Sequence, residues 1–550
     1  MVPQPHTAPF GGAFARRFTR YSGVYFDEFA PDSAWIRELA TIDLPPMENT
    51  PAVVLRGVFR THPLARGPER GFPALEILMD GQSVARVAAL RDGPWSARVA
   101  LDGPAAQRGP VLTLRLHGVG FTNALAWLGR VTELGPLQRY RTQHRNRQVR
   151  LSAIESDGGE KIYDFSQRES PYSSAFARSH SRPGMNIVGF LTADLGIGES
   201  ARCMVRAADA AEIPVALVPL KLNCRNRLGD PTYQGRLQEE NPFGANVVHL
   251  DPPVARDLDH HHGPAFRRVK YNIGYFAWEL PEFPDAWTPA FDYFDEIWCP
   301  SNFVTQSVAL KAPFPVITMP HAIGFARPTT DRTSLRARFG LPPEKFLFLC
   351  LFDLNSNSAR KNPRAVVEAF RSSGLAGDQV ALVIKVHNAD ANPSDFAALQ
   401  LAVADLPGTV IINGTLARDD VYALEAACDC YVSLHRSEGF GLAIAECMYL
   451  GLPVIATDWS ATAEYLDRDN GYPVRYELVK LTENHGPYTR GATWADPSVA
   501  DAAALMRQVA GDPMAAAKVG ARARRTIEER FAPAIVGARY RRRLEAIAGL

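Results

Sequence analysis

Residues 433 to 465, SLHRSEGFGLAIAECMYLGLPVIATDWSATAEY, constrain the fold more than any other part of the chain. They follow a strand over 431–434 with a glycine turn, Glu438-Gly439-Phe440-Gly441, a helical run Leu442–Leu450 and a buried strand over 453–457. This order leaves the first amides of the helix without intrahelical partners and pointing outward, which suits an anion such as a diphosphate. Glu438 stands before the turn and Glu446 within the helix. An ordinary β-α-β unit with two solvated carboxylates is the plain alternative, but both acids flank the one place where the backbone is built for an anion.

The surrounding pattern extends that unit in both directions. Apolar runs over 185–191, 214–220, 245–250, 270–276, 296–299 and 315–320 alternate with helical stretches, and a second set follows over 346–352, 380–386, 409–412, 430–434 and 453–457. Buried strands alternating with helices predict parallel sheets covered on both faces. The fold class is therefore α/β, with two Rossmann-like domains over 185–325 and 326–550 facing a cleft, and ligands at the carboxyl ends of their strands. Helical sequence closes the chain, and RYRRRLEAIAGL is long enough to cross back onto the first unit.

The first third differs. From 52 to about 162, short alternating runs such as VVLRGVF and VLTLRLH are separated by Gly, Pro and Asp-Gly turns, which predicts a β-sandwich-like domain over about 50–162 within an N-terminal region 1–165. A Ser-, Arg- and Pro-rich linker, 166–184, follows. Five arginines between 138 and 150 read either as the polar edge of a strand or as a patch for anionic lipid or a pyrophosphate-bearing acceptor at the inner membrane face.

At 550 residues there is room for about three domains. A net charge of +1 gives no global pull toward nucleic acid. Seven scattered cysteines fit a reduced cytoplasm better than a disulfide framework. No apolar h-region follows the N-terminal charges, and no run is long enough to span a membrane, so a cytoplasmic protein is expected.

EGFGL, the second glutamate, the G-x-P-V-I-A-T strand and the polar turn after it occur in order, and this resembles the E-x(7)-E signature of retaining GT4-family glycosyltransferases of the GT-B fold. With RKNP, GIGESAR and WADP the chain resembles a bacterial subgroup linked to surface polysaccharide assembly, over about residues 185–545. The resemblance implies a nucleotide-sugar donor on the second unit, GDP- or UDP-linked, with no cofactor and no metal. Glu446 would hold the ribose and Glu438 the sugar. Lys361 and, more weakly, Arg360 would hold the diphosphate together with the amides of Gly439, Phe440 and Gly441. Gly414, Thr415 and Leu416 would meet the nucleobase.

On the first unit, the Gly196-Ile197-Gly198-Glu199 turn resembles the glycine loop that approaches the donor phosphates. Trp278 and Glu279 end a strand at the cleft, as acceptor contacts or as a packing lid. His435 and Arg436 stand either at the phosphate or sugar edge or as hydrogen-bonded partners. The run Asp257-Leu258-Asp259-His260-His261-His262 has metal-ligand residue types, but its setting favours a solvated loop. The acceptor implied is a saccharide or lipid-linked saccharide. A non-catalytic glycan-binding scaffold using the β-rich domain is the alternative.

Overall fold

The computed structural model describes residues 21–25, 32–47, 50–60, 74–88, 90–101, 109–117, 149–167, 171–173 and 184–548, apart from 225, 264–265, 268–269 and 378. The arginine-rich stretch lies outside the described residues except for 149–150, as does most of the 166–184 linker.

The β-rich region is one nine-stranded antiparallel sheet folded over on itself rather than two separate sheets. The strand Ala34–Asp43 makes the fold: its first residues pair with 150–151, whereas its last five pair with Val111 to Arg115. A long strand shared by two half-sheets forms such a corner. The edge strands Gln82–Val87 and Gly93–Ala100, consecutive in the chain, return against each other. Alternation along Ala52–Phe59 and Val111–His117 turns every second side chain inward, and Ile36, Leu55, Leu75, Leu114 and Ile154 meet in one core.

From Met185 onward the chain is α/β. The first unit is a six-stranded parallel sheet in the order Val215–Pro219, Met185–Gly189, Ala245–His249, Tyr271–Tyr275, Glu296–Cys299, Val316–Thr318. The second is ordered Val410–Asn413, Val380–His387, Phe346–Asp353, Cys430–Ser433, Val454–Thr457, Tyr472–Val474, again parallel throughout. Strands such as Met185–Gly189 and Ala245–His249 are buried along their whole length, as sheets covered on both faces require. In the second sheet the strand order reverses between Phe346–Asp353 and Cys430–Ser433, so the ligand crevice of such a sheet opens after Asp353 and Ser433.

Two excursions tie the units together. The last helix, Pro533–Ala548, returns to pack on Gly196–Ala210 of the first unit. Tyr540 stacks on Trp298 with ring centroids 5.3 Å apart, and Arg543 Nε lies 3.0 Å from Glu296 Oε1. The hairpin Tyr476–Lys480 and Thr493–Pro497 leaves the second unit and seats Leu481, Tyr488 and Trp494 among Trp278, Leu280 and Phe283 of the first. All seven cysteines are free thiols.

Candidate functional site

The turn after Cys430–Ser433 brings Glu438 to the mouth of the helix Leu442–Leu450, whose N-cap, Gly441, adopts φ +88°. A side chain at Gly441 would strike Thr462 at 2.8 Å and the Tyr465 hydroxyl at 2.9 Å. Gly439 is needed for a different reason: a Cβ there would lie 3.0 Å from the carbonyl oxygen of Trp278 in the opposite unit. Ser301 also donates to the Gly439 carbonyl at 2.7 Å, and Ser437 donates to the Glu279 carbonyl. The turn is thus the seam at which the two units touch.

Arg360 and Lys361 stand in a short helix, Ser358–Lys361, that follows the strand Phe346–Asp353. Asn357, at φ +62°, caps it by accepting from the Arg360 amide. Lys361 Nζ lies 2.5 Å from Glu438 Oε1, and Arg360 Nη1 lies 3.2 Å from Glu438 Oε2. Burial disfavours charge on Glu438, but the attraction of Lys361 and Arg360 wins and brings its pKa down to about 2. Arg360 continues across the seam to Glu279 Oε1 at 3.6 Å, and Tyr488 donates to the other Glu279 oxygen at 2.8 Å. Arg360 is buried, with both terminal nitrogens engaged and Nε unpaired; the Lys361 side chain is a quarter exposed, which leaves its ammonium able to reach an incoming anion.

Glu446 sits in a second ion cluster. Arg418, at the start of the helix Arg418–Ala427, donates to Glu446 Oε1, and its Nε lies 3.6 Å from Glu199 Oε2 of the first unit. Glu199 is also held by Arg202 Nε at 2.8 Å and Arg206 Nη2 at 2.5 Å. Each glutamate of the pair is therefore joined through an arginine to a glutamate of the other unit: Glu438 through Arg360 to Glu279, Glu446 through Arg418 to Glu199. A cavity of about 210 Å³ opens beside the second cluster, lined by Asp194, Arg227 and Asp230 from one unit and Thr415, Leu416 and Arg418 from the other.

Other expected residues fall as follows. Gly196 opens the helix Gly196–Ala210 with free space where a Cβ would stand, whereas a Cβ at Gly198 would lie 2.7 Å from the Ala193 and Phe190 carbonyl oxygens. Gly414 directly follows the strand Val410–Asn413 and leads to the cavity wall at Thr415 and Leu416. Phe440 is buried, edge-on to His321 at 4.8 Å.

For three residues left with two readings, the surroundings are as follows. Trp278 is only 2% exposed: its indole N–H donates to the Glu282 carbonyl and its ring packs on Trp287 and Tyr488, the surroundings of a packing lid. Arg436 turns from the phosphate edge to the hairpin, 3.1 Å from Asp496 and over the Trp494 ring. His435 is buried between Ser433 and Thr462, each at 3.1 Å, and burial lowers its pKa to about 4, so it is a neutral hydrogen-bonded partner. In the 257–262 run, Asp259 is paired with Arg267 and His262 accepts from the Lys221 amide. Among the described residues no group of His, Cys, Asp and Glu is arranged to hold a metal ion.

Sequence reasoning missed Arg418 and Tyr488. Arg418 follows the Asn413–Leu416 turn with nothing local to mark it, and Tyr488 lies in a hairpin whose partner surface is some two hundred residues away. It also missed Glu425, fully buried, whose pKa burial and Glu446 push well above the usual carboxylate range.

Two parallel α/β sheets meet at a seam, with cations and acids gathered at the switch point of the second, and this defines a two-unit α/β protein. Residues 331–525 match the family model of the glycosyl transferases group 1. A candidate glycosyltransferase (number 45) of Sulfolobus islandicus filamentous virus is 26% identical over 187 residues, 34% of this chain and 46% of the viral protein, so the match spans under half of that relative. Among solved structures, Anabaena HepE in complex with UDP and glucose is 14% identical over 66% of this chain and all of its own, with a TM-score of 0.49. Sucrose-phosphate synthase from Thermosynechococcus elongatus is 12% identical over 66% of this chain and 99% of its own, also at 0.49.

Proposed function

We propose that the protein is a retaining glycosyltransferase of the GT-B fold and GT4 type, moving a hexose from a nucleotide-diphosphate sugar to a saccharide or lipid-linked saccharide in polysaccharide assembly. The observation that carries this reading is the pairing of Lys361 and Arg360 with Glu438 at the mouth of the helix Leu442–Leu450. As a glycosidic bond to a nucleoside diphosphate breaks, negative charge accumulates on the leaving oxygens, and cations set in place beforehand lower that barrier.

In this reading Arg360 retains Glu438 while Lys361 and the helix amides take the diphosphate. Glu438 accepts from hydroxyls of the transferred sugar, and Glu446 accepts from the ribose. The cavity beside Thr415 and Leu416 takes the base. The leaving phosphate helps to deprotonate the acceptor, with no covalent protein nucleophile, and the acceptor lies against the first unit. Cleft closure at Gly439 and Trp278 excludes water from the reaction. A paired-carboxylate hydrolase would have no use for the two cations.

GDP-mannose is the preferred donor, with UDP-sugars next, in a cytoplasmic setting that includes peripheral contact with the membrane through the arginines of 138–150. No described helix is long and apolar enough to cross a membrane. A panel of GDP- and UDP-sugars, scored by release of the free nucleoside diphosphate, tests the reading. Release from one donor, lost in Lys361→Ala, supports it; release from none, with candidate acceptors present, counts against it.

A further inference from the structure

We propose that Arg418 is a positioning residue: its guanidinium holds the Glu446 carboxylate as a charged acceptor for the donor's ribose hydroxyls and ties it, through Glu199, to the opposite unit. The proposal rests on the reading of Glu446 as the ribose acceptor. Among the described residues Arg418 is the side chain that both lines the cavity and touches acids of both units: it donates to Glu446 and sits 3.6 Å from Glu199, with its guanidinium 4.7 Å from the Tyr422 ring centroid.

The surroundings explain why such a residue is needed. Glu446 is 2% exposed, and titratable groups from several elements act on it. Glu199, Cys203 and Arg206 come from Gly196–Ala210; Tyr422 and Glu425, with Arg418 itself, come from Arg418–Ala427; Cys447 is its chain neighbour, and Tyr465 faces it from beyond the turn. Lys385 interacts with Glu425 and Arg418 from the neighbouring strand. Two of these groups are acids, and Arg206 already donates to Glu199 at 2.5 Å. Burial holds the Glu446 carboxyl above the ordinary carboxylate range and Glu199 adds to the rise; Arg418 is the strongest influence against it, so whatever charge Glu446 carries depends on that guanidinium. A protonated Glu446 keeps one donor and loses acceptor capacity, so it serves two ribose hydroxyls poorly. Without Arg418 the glutamate would follow Glu425, which burial and Glu446 push well above the usual carboxylate range.

The test uses a pair of ligands, UDP and 2′,3′-dideoxy-UDP or the guanosine pair, titrated into the full chain from pH 5.5 to 8.5. Wild type is expected to prefer the ribose form by roughly tenfold or more, because hydrogen bonds to a charged acceptor are the stronger kind. In Arg418→Gln that preference falls toward unity at pH 6 and returns as pH rises, its midpoint shifted upward by at least one unit. Arg418→Lys, which keeps a cation, retains most of it at pH 7.

A midpoint unmoved in Arg418→Gln overturns the proposal. If that variant does not fold, a folded Arg418→Lys with no ribose preference at any pH does the same. A wild type that binds both ligands of a pair equally removes the ribose reading itself. A wild type that discriminates alongside an Arg418→Gln that discriminates identically removes only the role of Arg418.

Discussion

Lys361 Nζ lies 2.5 Å from Glu438 Oε1, and Arg360 holds the other oxygen of the same carboxylate at 3.2 Å. One acid thus keeps two cations together at a helix mouth where a diphosphate would otherwise find only amides. Lys361 is the more exposed of the two. Replacing it by alanine is expected to lower the rate of sugar transfer by on the order of 10²–10³, about 3 to 4 kcal/mol, by analogy with the loss of a single oxyanion donor. Arg360→Ala should cost stability as well, because that arginine also binds the Ser437 carbonyl at 2.9 Å and lies 3.6 Å from Glu279. Steady-state rates and melting curves for the two variants separate these effects.

The depressed pKa of Glu438, about 2, carries a pH signature. A carboxyl whose folded pKa is below its unfolded value stabilises the fold above the unfolded pKa, near 4.3, and loses that contribution as pH falls toward 2. Wild type should therefore lose melting temperature more steeply between pH 5 and pH 3 than Glu438→Gln does. Equal slopes would show that the two cations do not hold the acid charged.

Gly439 tests the seam. A Cβ there meets the Trp278 carbonyl at 3.0 Å, and that oxygen is backbone. Gly439→Ala should therefore keep the fold of each unit yet hold the cleft slightly open, lowering kcat/KM by roughly ten- to a hundredfold, the scale of a misplacement near 1 Å. An unchanged kcat/KM would mean that closure at this point is irrelevant to turnover.

The last helix offers a test of architecture. Gly537 lies so close to Gly196–Ala210 that a Cβ would sit 2.1 Å from the Ala207 carbonyl. Gly537→Ala should lift the helix from the first unit and cost about 1–3 kcal/mol, the usual range for overpacking, read by urea denaturation. A midpoint unchanged from wild type would show that the crossing contributes little.

What the sequence could show follows from how local each signal is. The strands of both α/β sheets were readable because residues buried on two faces form continuous apolar runs, as in FLFLCLF and VALVIKV. Glu438, Lys361 and Arg360 were readable because they lie beside a turn and a helix start, both visible in a few residues. Arg418 was not: its meaning depends on Glu199 and Glu446, which the topology brings to it from far away in the chain. The two readings of Trp278 stayed open for the same reason, since the hairpin that buries it begins almost two hundred residues later. The half-sheets of the N-terminal region alternate clearly, but nothing local shows that one long strand, Ala34–Asp43, would serve both.

The most direct measurement is calorimetric titration of the full chain with UDP and with GDP, repeated on Lys361→Ala. Binding of one nucleotide by wild type, weakened tenfold or more in the variant, is the expected result, since a charge-assisted contact to a phosphate is lost. Binding of neither nucleotide, or equal binding by both proteins, would contradict the assignment of the Glu438–Lys361 mouth to an activated sugar's diphosphate.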